Sequence, residues 1–258
     1  MKEPAKVKSL EKAILLLDLL QREGVPLSLT AIARRMDMAK STVHTILATL
    51  RSHGYVEQSA DDGAYRLGSA LLQLGNSAAQ QWDAVPLARP YLQSIGRKVD
   101  QSVHLGKLDH NEVLYLDKWE PPGGVRVVAQ IGTRMPLHCS AMGKVLLAYM
   151  PEDEAAALLE DQNIAVYTPH TITDKTVLQQ QLDEIVRQGY GIENGERIIG
   201  MRGVAAPIFD RFGRVEYTIG VTGMFRRISD DGFILATDLC REAARAISLS
   251  LGAPKDIL

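Results

Sequence analysis

One short run offers the clearest chemistry. In "KSTVHTILATL", residues 40–50, Val43, Ile46, Leu47 and Leu50 recur at helical spacing and bury one stripe of a helix. The other positions hold Lys40, Ser41, Thr42, His44, Thr45 and Thr49, which are an ammonium, an imidazole and four hydroxyls, with no carboxylate among them. A helix that shows short polar side chains on one side while its other side is anchored in a core suits a duplex major groove. Ser41, Thr42, His44 and Thr45 are expected at base edges or nearby phosphates, with Lys40, Arg34 and Arg51 supplying the charge that fixes register. Ser28 and Thr30, at the start of the preceding helix, are placed to bond phosphate. The plain alternative is a solvated helix face in a trihelical, protein-binding head.

A second run, His138-Cys139-Ser140, invites an enzyme reading, because a thiol beside an imidazole can be an activated nucleophile. Neighbours on an extended segment point to opposite sides, however, so they make poor catalytic partners, and a buried structural cysteine is the better expectation. No glycine-rich phosphate loop, paired catalytic carboxylates or metal-ligand spacing stands out elsewhere. The expectation is a non-enzyme with no metal and no cofactor. Cys139 and Cys240 are far apart, which points to reduced thiols in a cytoplasmic protein.

These runs need elements to hold them. The 258 residues, 46% hydrophobic and 23% charged, suit two folding units of a globular protein, and no apolar run reaches membrane-spanning length. Residues 1–70 carry ten Lys and Arg against eight Asp and Glu, and the remainder 19 against 23, so charge only permits a nucleic-acid partner. Ser9–Glu23 forms a first helix with Ser9 as N-cap, and "LTAIARRM" a second behind Ser28. "YVEQ" and "YRL", joined at Asp61-Asp62-Gly63, form a hairpin wing. Arg66 on that wing either reaches a minor groove or phosphate or is simply solvated. The domains expected are 6–68, a linker helix over 69–83, and 84–254. In the last of these, strands over 102–109, 112–120, 125–132, 203–210 and 215–223 alternate with helices over 85–99, 140–150, 152–160, 173–188 and 229–251, giving an α+β domain on an antiparallel sheet.

The strings "SLEKAILLLDLL", "SLTAIARRMDMAKSTVHTILATLRSHGYVEQ", "YRLG", "IGTRMPLHCSAMGKVLLA", "GYGIENGE" and "GMRGVAAPIFDRFGRV", in this order, resemble the IclR family of bacterial transcriptional regulators over essentially the whole chain. The resemblance implies a winged helix-turn-helix that binds a double-stranded DNA operator, joined by a helix to a GAF- or profilin-like effector domain. It also implies self-association into dimers, often paired into tetramers. Members controlling sugar-acid and related carboxylate metabolism are the nearest in motif.

In the family the effector sits between the loop entering the "GK" helix and the late strands, here Met135 to Gly143. The start of that helix presents free backbone N–H groups to a carboxylate, which makes Ser140, Ala141 and Met142 the strongest ligand candidates. The resemblance adds Met135, Glu193, Gly203, Gly220 and Thr222; Arg126 and His138 either add charge or hydrogen bonds for an acid or stand on the outer, solvated face of a strand. Several of these depart from the family pattern: Glu193 replaces Asp, Gly203 replaces Cys, Gly195 replaces an acidic residue, and Gly220 and Thr222 replace paired serines. Two glycines in the wall imply a roomier cavity and a larger ligand, such as a sugar acid or an aromatic acid.

Overall fold

The computed structural model describes residues 7–79, 83–122, 130–161 and 164–258. The chain divides into two compact units, Met1–Gln81 and Trp82–Leu258.

In the first unit, α1 (Lys8–Glu23), α2 (Leu29–Arg35) and α3 (Lys40–Ser52) pack around Leu16, Leu20, Ile32, Val43 and Leu47; on α2 and α3 these are residues that helical periodicity selects, whereas on α1 Leu10 and Ile14, which share the same spacing, are exposed. Helix α1 begins one residue before the expected cap: Val7 takes the cap position without a side-chain bond, and Ser9 lies inside the helix. It ends at Gly24 in the left-handed conformation. Ser28 caps α2 as expected, accepting from the Ala31 N–H at 3.2 Å. The turn into α3 passes through Asp37 at φ 49°, a conformation Asp adopts more readily than most side chains. Strands β1 (Val56–Gln58) and β2 (Tyr65–Leu67) form the antiparallel wing, and Leu27 pairs with Tyr65 to extend it by one bridge. Helix α4 follows (Ser69–Ala79); of the expected linker helix, residues 80–82 lie outside the described residues and Asp83 is the N-cap of the next helix.

The second unit opens with α5 (Ala84–Val99). Its antiparallel sheet is built from β3 (Ser102–Asp109), β4 (Glu112–Trp119), β5 (Arg134–Pro136), β6 (Gly191–Asn194), β7 (Arg202–Phe209) and β8 (Val215–Gly223), in the order β5-β4-β3-β8-β7-β6. One face, with Val103, Leu105, Val204, Ile208, Ile219 and Val221, packs on α5 and on α9 (Asp231–Ser250), where Cys240 is fully buried. The other face, with Val113, Tyr115 and Ala205, packs on α6 (Ala141–Ala148) and α8 (Lys175–Gln188), and α7 (Glu152–Asp161) adds Ala155 and Leu159 to that core.

The α+β architecture and the longer strands follow the sequence reading. The two edge strands do not: β5 spans three residues and β6 four, too short for alternation to register. Pro136 fits the edge position of β5, since it has no N–H to give a ladder. The strand expected over 125–132, with Arg126, lies mostly outside the described residues, and 130–132 lead through a turn into β5.

Candidate nucleic-acid interface and ligand cavity

At about 100° per residue, Ser41, Thr45 and Ala48 fall opposite the buried Val43–Leu47 stripe of α3, with Lys40, His44 and Arg51 on one shoulder and Thr42 and Thr49 on the other. Lys40, Ser41, Thr42, His44 and Thr45 are all exposed. Thr45 donates its hydroxyl proton to the Ser41 carbonyl at 3.0 Å, so toward a base it retains acceptor capacity only. Ser41, Thr42 and His44 make no side-chain hydrogen bond among the described residues. Thr30, Arg34 and Lys40 meet at one shallow notch between α2 and α3, with Asp37 on its rim. That arrangement suits a phosphate held by a hydroxyl and two cations.

Two expected cations are partly committed elsewhere. The Arg51 guanidinium donates to Gln58 Oε1 of β1, and Gln58 Nε2 donates to the Gly63 carbonyl at the hairpin turn, so Arg51 braces the wing against α3. Arg66 donates twice to Glu57 Oε2, at 2.9 and 3.1 Å, across the β1–β2 register. Much of its charge is neutralised within the wing, which favours the solvated reading over a groove contact.

In the second unit, Met135, Ser140, Ala141, Met142, Glu193, Gly203 and Thr222 line one cavity, together with Tyr115, Cys139, Arg197, Ile198 and Met201. Seven of the nine expected effector residues thus converge. Ser140 caps α6: its hydroxyl accepts from the Gly143 N–H and donates to the Pro136 carbonyl, each at 3.0 Å. The side chain is therefore spent on structure, and the Ala141 and Met142 N–H groups are what the helix end offers a ligand. Gly143 must be glycine, because a Cβ there would lie 2.3 Å from the Leu137 carbonyl oxygen.

Across the cavity, Glu193 Oε1 accepts from the backbone N–H groups of Glu196 and Arg197. Burial pushes its carboxyl up to about 7, partly offset by those hydrogen bonds. The loop that carries Arg197 is pinned by Lys144, fully buried in α6, which donates to Glu196 Oε1 at 2.7 Å and to Gln181 Oε1 at 2.8 Å. Arg197 lays its guanidinium over the Tyr167 ring, 3.8 Å from the centroid, and its Nε is buried without a partner among the described residues.

Two expected residues fall elsewhere. His138 points away: its Nε2 sits 3.0 Å from the Ala165 carbonyl oxygen and its ring stacks on Tyr167, while Cys139, next in an extended segment, takes the cavity side. Burial lowers the His138 pKa, so it is a neutral structural group, and burial pushes the Cys139 thiol up to about 12, which leaves it protonated and a poor nucleophile. Gly220 gives no extra room. A Cβ there would meet the Val204 carbonyl at 2.8 Å and Met142 Cγ at 3.2 Å, because Met142 lies over Gly220 and Gly106. The free space is about 40 Å³, enough for a few water molecules, so an acid must displace side chains, of which the three methionines, Met135, Met142 and Met201, are the most pliable.

Sequence reasoning missed Arg197, Ile198, Met201 and Tyr115. Arg197 stands in "NGERIIG", just after Glu193, and a cation between glycines is its only signal. A wider cleft of about 510 Å³, bordered by Arg241, Arg245 and Leu258, gathers none of the expected residues. Among the described residues no group of three or more His, Cys, Asp or Glu is placed to hold a metal, and no helix is long and apolar enough to cross a membrane.

Comparison with known proteins identifies the family. Residues 9–60 match the IclR helix-turn-helix domain and residues 76–249 the bacterial transcriptional regulator IclR C-terminal domain. The HTH-type transcriptional regulator XynR of Escherichia coli is 34% identical over 248 residues, 96% of this chain and 98% of that protein. The crystal structure of an IclR transcriptional regulator from Alicyclobacillus acidocaldarius superposes with a TM-score of 0.84 at 30% identity, covering 96% of this chain and all of that one. An IclR homolog from Microbacterium hydrocarbonoxydans, complexed with 4-hydroxybenzoate, gives 0.82 at 26% identity over 94% of this chain and 98% of its own. The chain belongs to the IclR family of bacterial transcriptional regulators and is a DNA-binding regulator of that type.

Proposed function

We propose that this regulator grips its operator with α3 and adjusts that grip to a small carboxylate metabolite bound beside α6. The observation that carries the effector half is a convergence: Ala141 and Met142, at the start of α6, and Arg197 line one mostly apolar cavity. Helix-end N–H groups and a guanidinium are complementary to a carboxylate, and the surrounding Met135, Met201 and Tyr115 suit a carbon skeleton. The related Microbacterium protein holds an aromatic acid, and the hydroxyl-accepting Glu193 suits a sugar acid equally well.

On the DNA side, Ser41, Thr42, His44 and Thr45 read bases, while the Thr30–Arg34–Lys40 notch and Ser28 hold phosphates. The unit of action is a dimer or a pair of dimers in the cytoplasm, with residues 69–83 linking the domains 6–68 and 84–254. Exposed Leu10, Ile14 and Leu15 on α1 and Leu72 and Leu74 on α4 support self-association. A thermal-shift screen of aromatic and aldonic acids, followed by gel shifts on the chain's own upstream DNA with and without the best acid, tests both halves. Sequence-specific retardation altered by an acid that raises the melting temperature is the expected result; retardation indifferent to every acid removes the sensor, and none at all removes the regulator.

A further inference from the structure

Among the described residues, the buried side-chain polar atoms with no hydrogen-bond partner are not scattered. They belong to Ser102, His104, Glu196 and Arg197, all in the second unit. Arg197 lines the cavity and Glu196 sits beside it in the same loop, but Ser102 and His104 stand apart on β3, each 1% exposed. Native proteins seldom leave a buried hydroxyl and both nitrogens of an imidazole unmatched, since each group then loses its bonds to water with nothing in return.

Their position ties them to the cavity. Val103 and Leu105 face α5 and α9, so the alternate residues Ser102, His104 and Gly106 face α6. Ser102 is in register with Thr222, a cavity residue, and His104 with Gly220. The His104 ring lies 5.0 Å from that of Tyr115, also a cavity residue. Met142 lies over Gly106 and Gly220, the next residue on this face of β3 and the cross-strand partner of His104, and an unbranched thioether changes rotamer readily.

We propose that Ser102 and His104 form the inner end of the effector cavity, uncovered when Met142 swings aside, and receive a hydroxyl on the effector remote from its carboxylate. This rests on the reading of the cavity as a carboxylate site. The chemistry selects a hydroxyl rather than a second acid group. Burial and the nearby Lys118 charge push His104 down to about 4, so at neutral pH the ring presents one N–H donor and one lone pair. Together with the Ser102 hydroxyl it matches a group that both donates and accepts, such as a phenol or the terminal hydroxyl of a sugar acid. A carboxylate there would find the nearby Lys118 already paired with Glu120.

The test uses the full chain and matched acids, 4-hydroxybenzoate against benzoate and D-gluconate against 6-deoxy-D-gluconate, with affinities from isothermal titration. The hydroxylated member of at least one pair should bind about tenfold more tightly, because its absence leaves buried groups unmatched. His104→Phe and Ser102→Ala should each reduce that ratio to about threefold or less while the unhydroxylated acid binds as before, and His104→Gln, which keeps a donor and an acceptor, should retain the preference. Equal affinity within both pairs, or a ratio unchanged in Ser102→Ala and in a folded His104→Phe, overturns the proposal and leaves the carboxylate site standing. Failure of all four acids to bind the unaltered chain overturns the carboxylate reading and the proposal with it.

Discussion

Replacing Glu193 with Gln tests the electrostatics of the cavity directly. The carboxyl is 4% exposed and is held up to about 7 by burial, against an ordinary value of 4.5. A folded-state pKa above the unfolded one means that the native state binds the proton more tightly, so this group costs nothing below about pH 4.5 and progressively more stability as pH rises to 7 and beyond. At about 1.4 kcal/mol per tenfold, the full penalty is about 3 kcal/mol. Gln has the same shape, and its carbonyl can still accept from the Glu196 and Arg197 N–H groups. Urea unfolding of the two proteins between pH 4.5 and 8.5 should therefore give nearly equal stabilities at the acid end and a variant more stable by roughly 2–3 kcal/mol at the alkaline end. Effector binding follows the same sign: a carboxylate placed beside Glu193 favours its protonated form, so the affinity of the unaltered chain should fall as pH rises through 7, and that of the variant should not. A stability difference flat across the range would refute the claim that burial governs this carboxyl.

Other expected outcomes concern both units. Thr42→Ala or His44→Ala should cost roughly 1–3 kcal/mol of operator affinity in gel shifts and relax discrimination at the base each contacts, whereas Lys40→Ala should weaken all duplexes alike and flatten the salt dependence by about one ion. Arg197→Ala should weaken acid binding by about 1.5–3 kcal/mol in titration calorimetry, the range for a hydrogen bond to a charged group. Lys144→Met should destabilise the chain by about 3–5 kcal/mol in chemical denaturation, since it strands Glu196 in the interior, and adding Glu196→Leu should recover much of the loss.

What the sequence determined by itself was local and periodic. The stripe Val43, Ile46, Leu47 and Leu50 placed α3 and left its polar side outward, Ser28 capped α2, and the alternating runs at 102–109 and 215–223 became strands with the stated bounds, because a 3.6- or 2-residue period is written into neighbouring side chains. Motif order was enough to bring Met135, Ala141, Met142, Glu193, Gly203 and Thr222 to one cavity.

What only the tertiary structure decided was how individual atoms are spent. Ser140 and Gly220 look available in the sequence, yet one hydroxyl is consumed as a cap and one gap is filled by Met142. His138 and Cys139 are neighbours whose sides of the chain were fixed only when the loop packed on α6, and Arg197 became a wall of the site only because Lys144, 52 residues before Glu196 in the chain, pins the loop that carries it. Ser102 and His104 read as an ordinary alternating strand until the sheet order set them beside Thr222 and Tyr115. Contacts between residues distant in sequence leave no period to read, so the elements were legible in the chain while the allocation of donors, acceptors and free space was settled by packing.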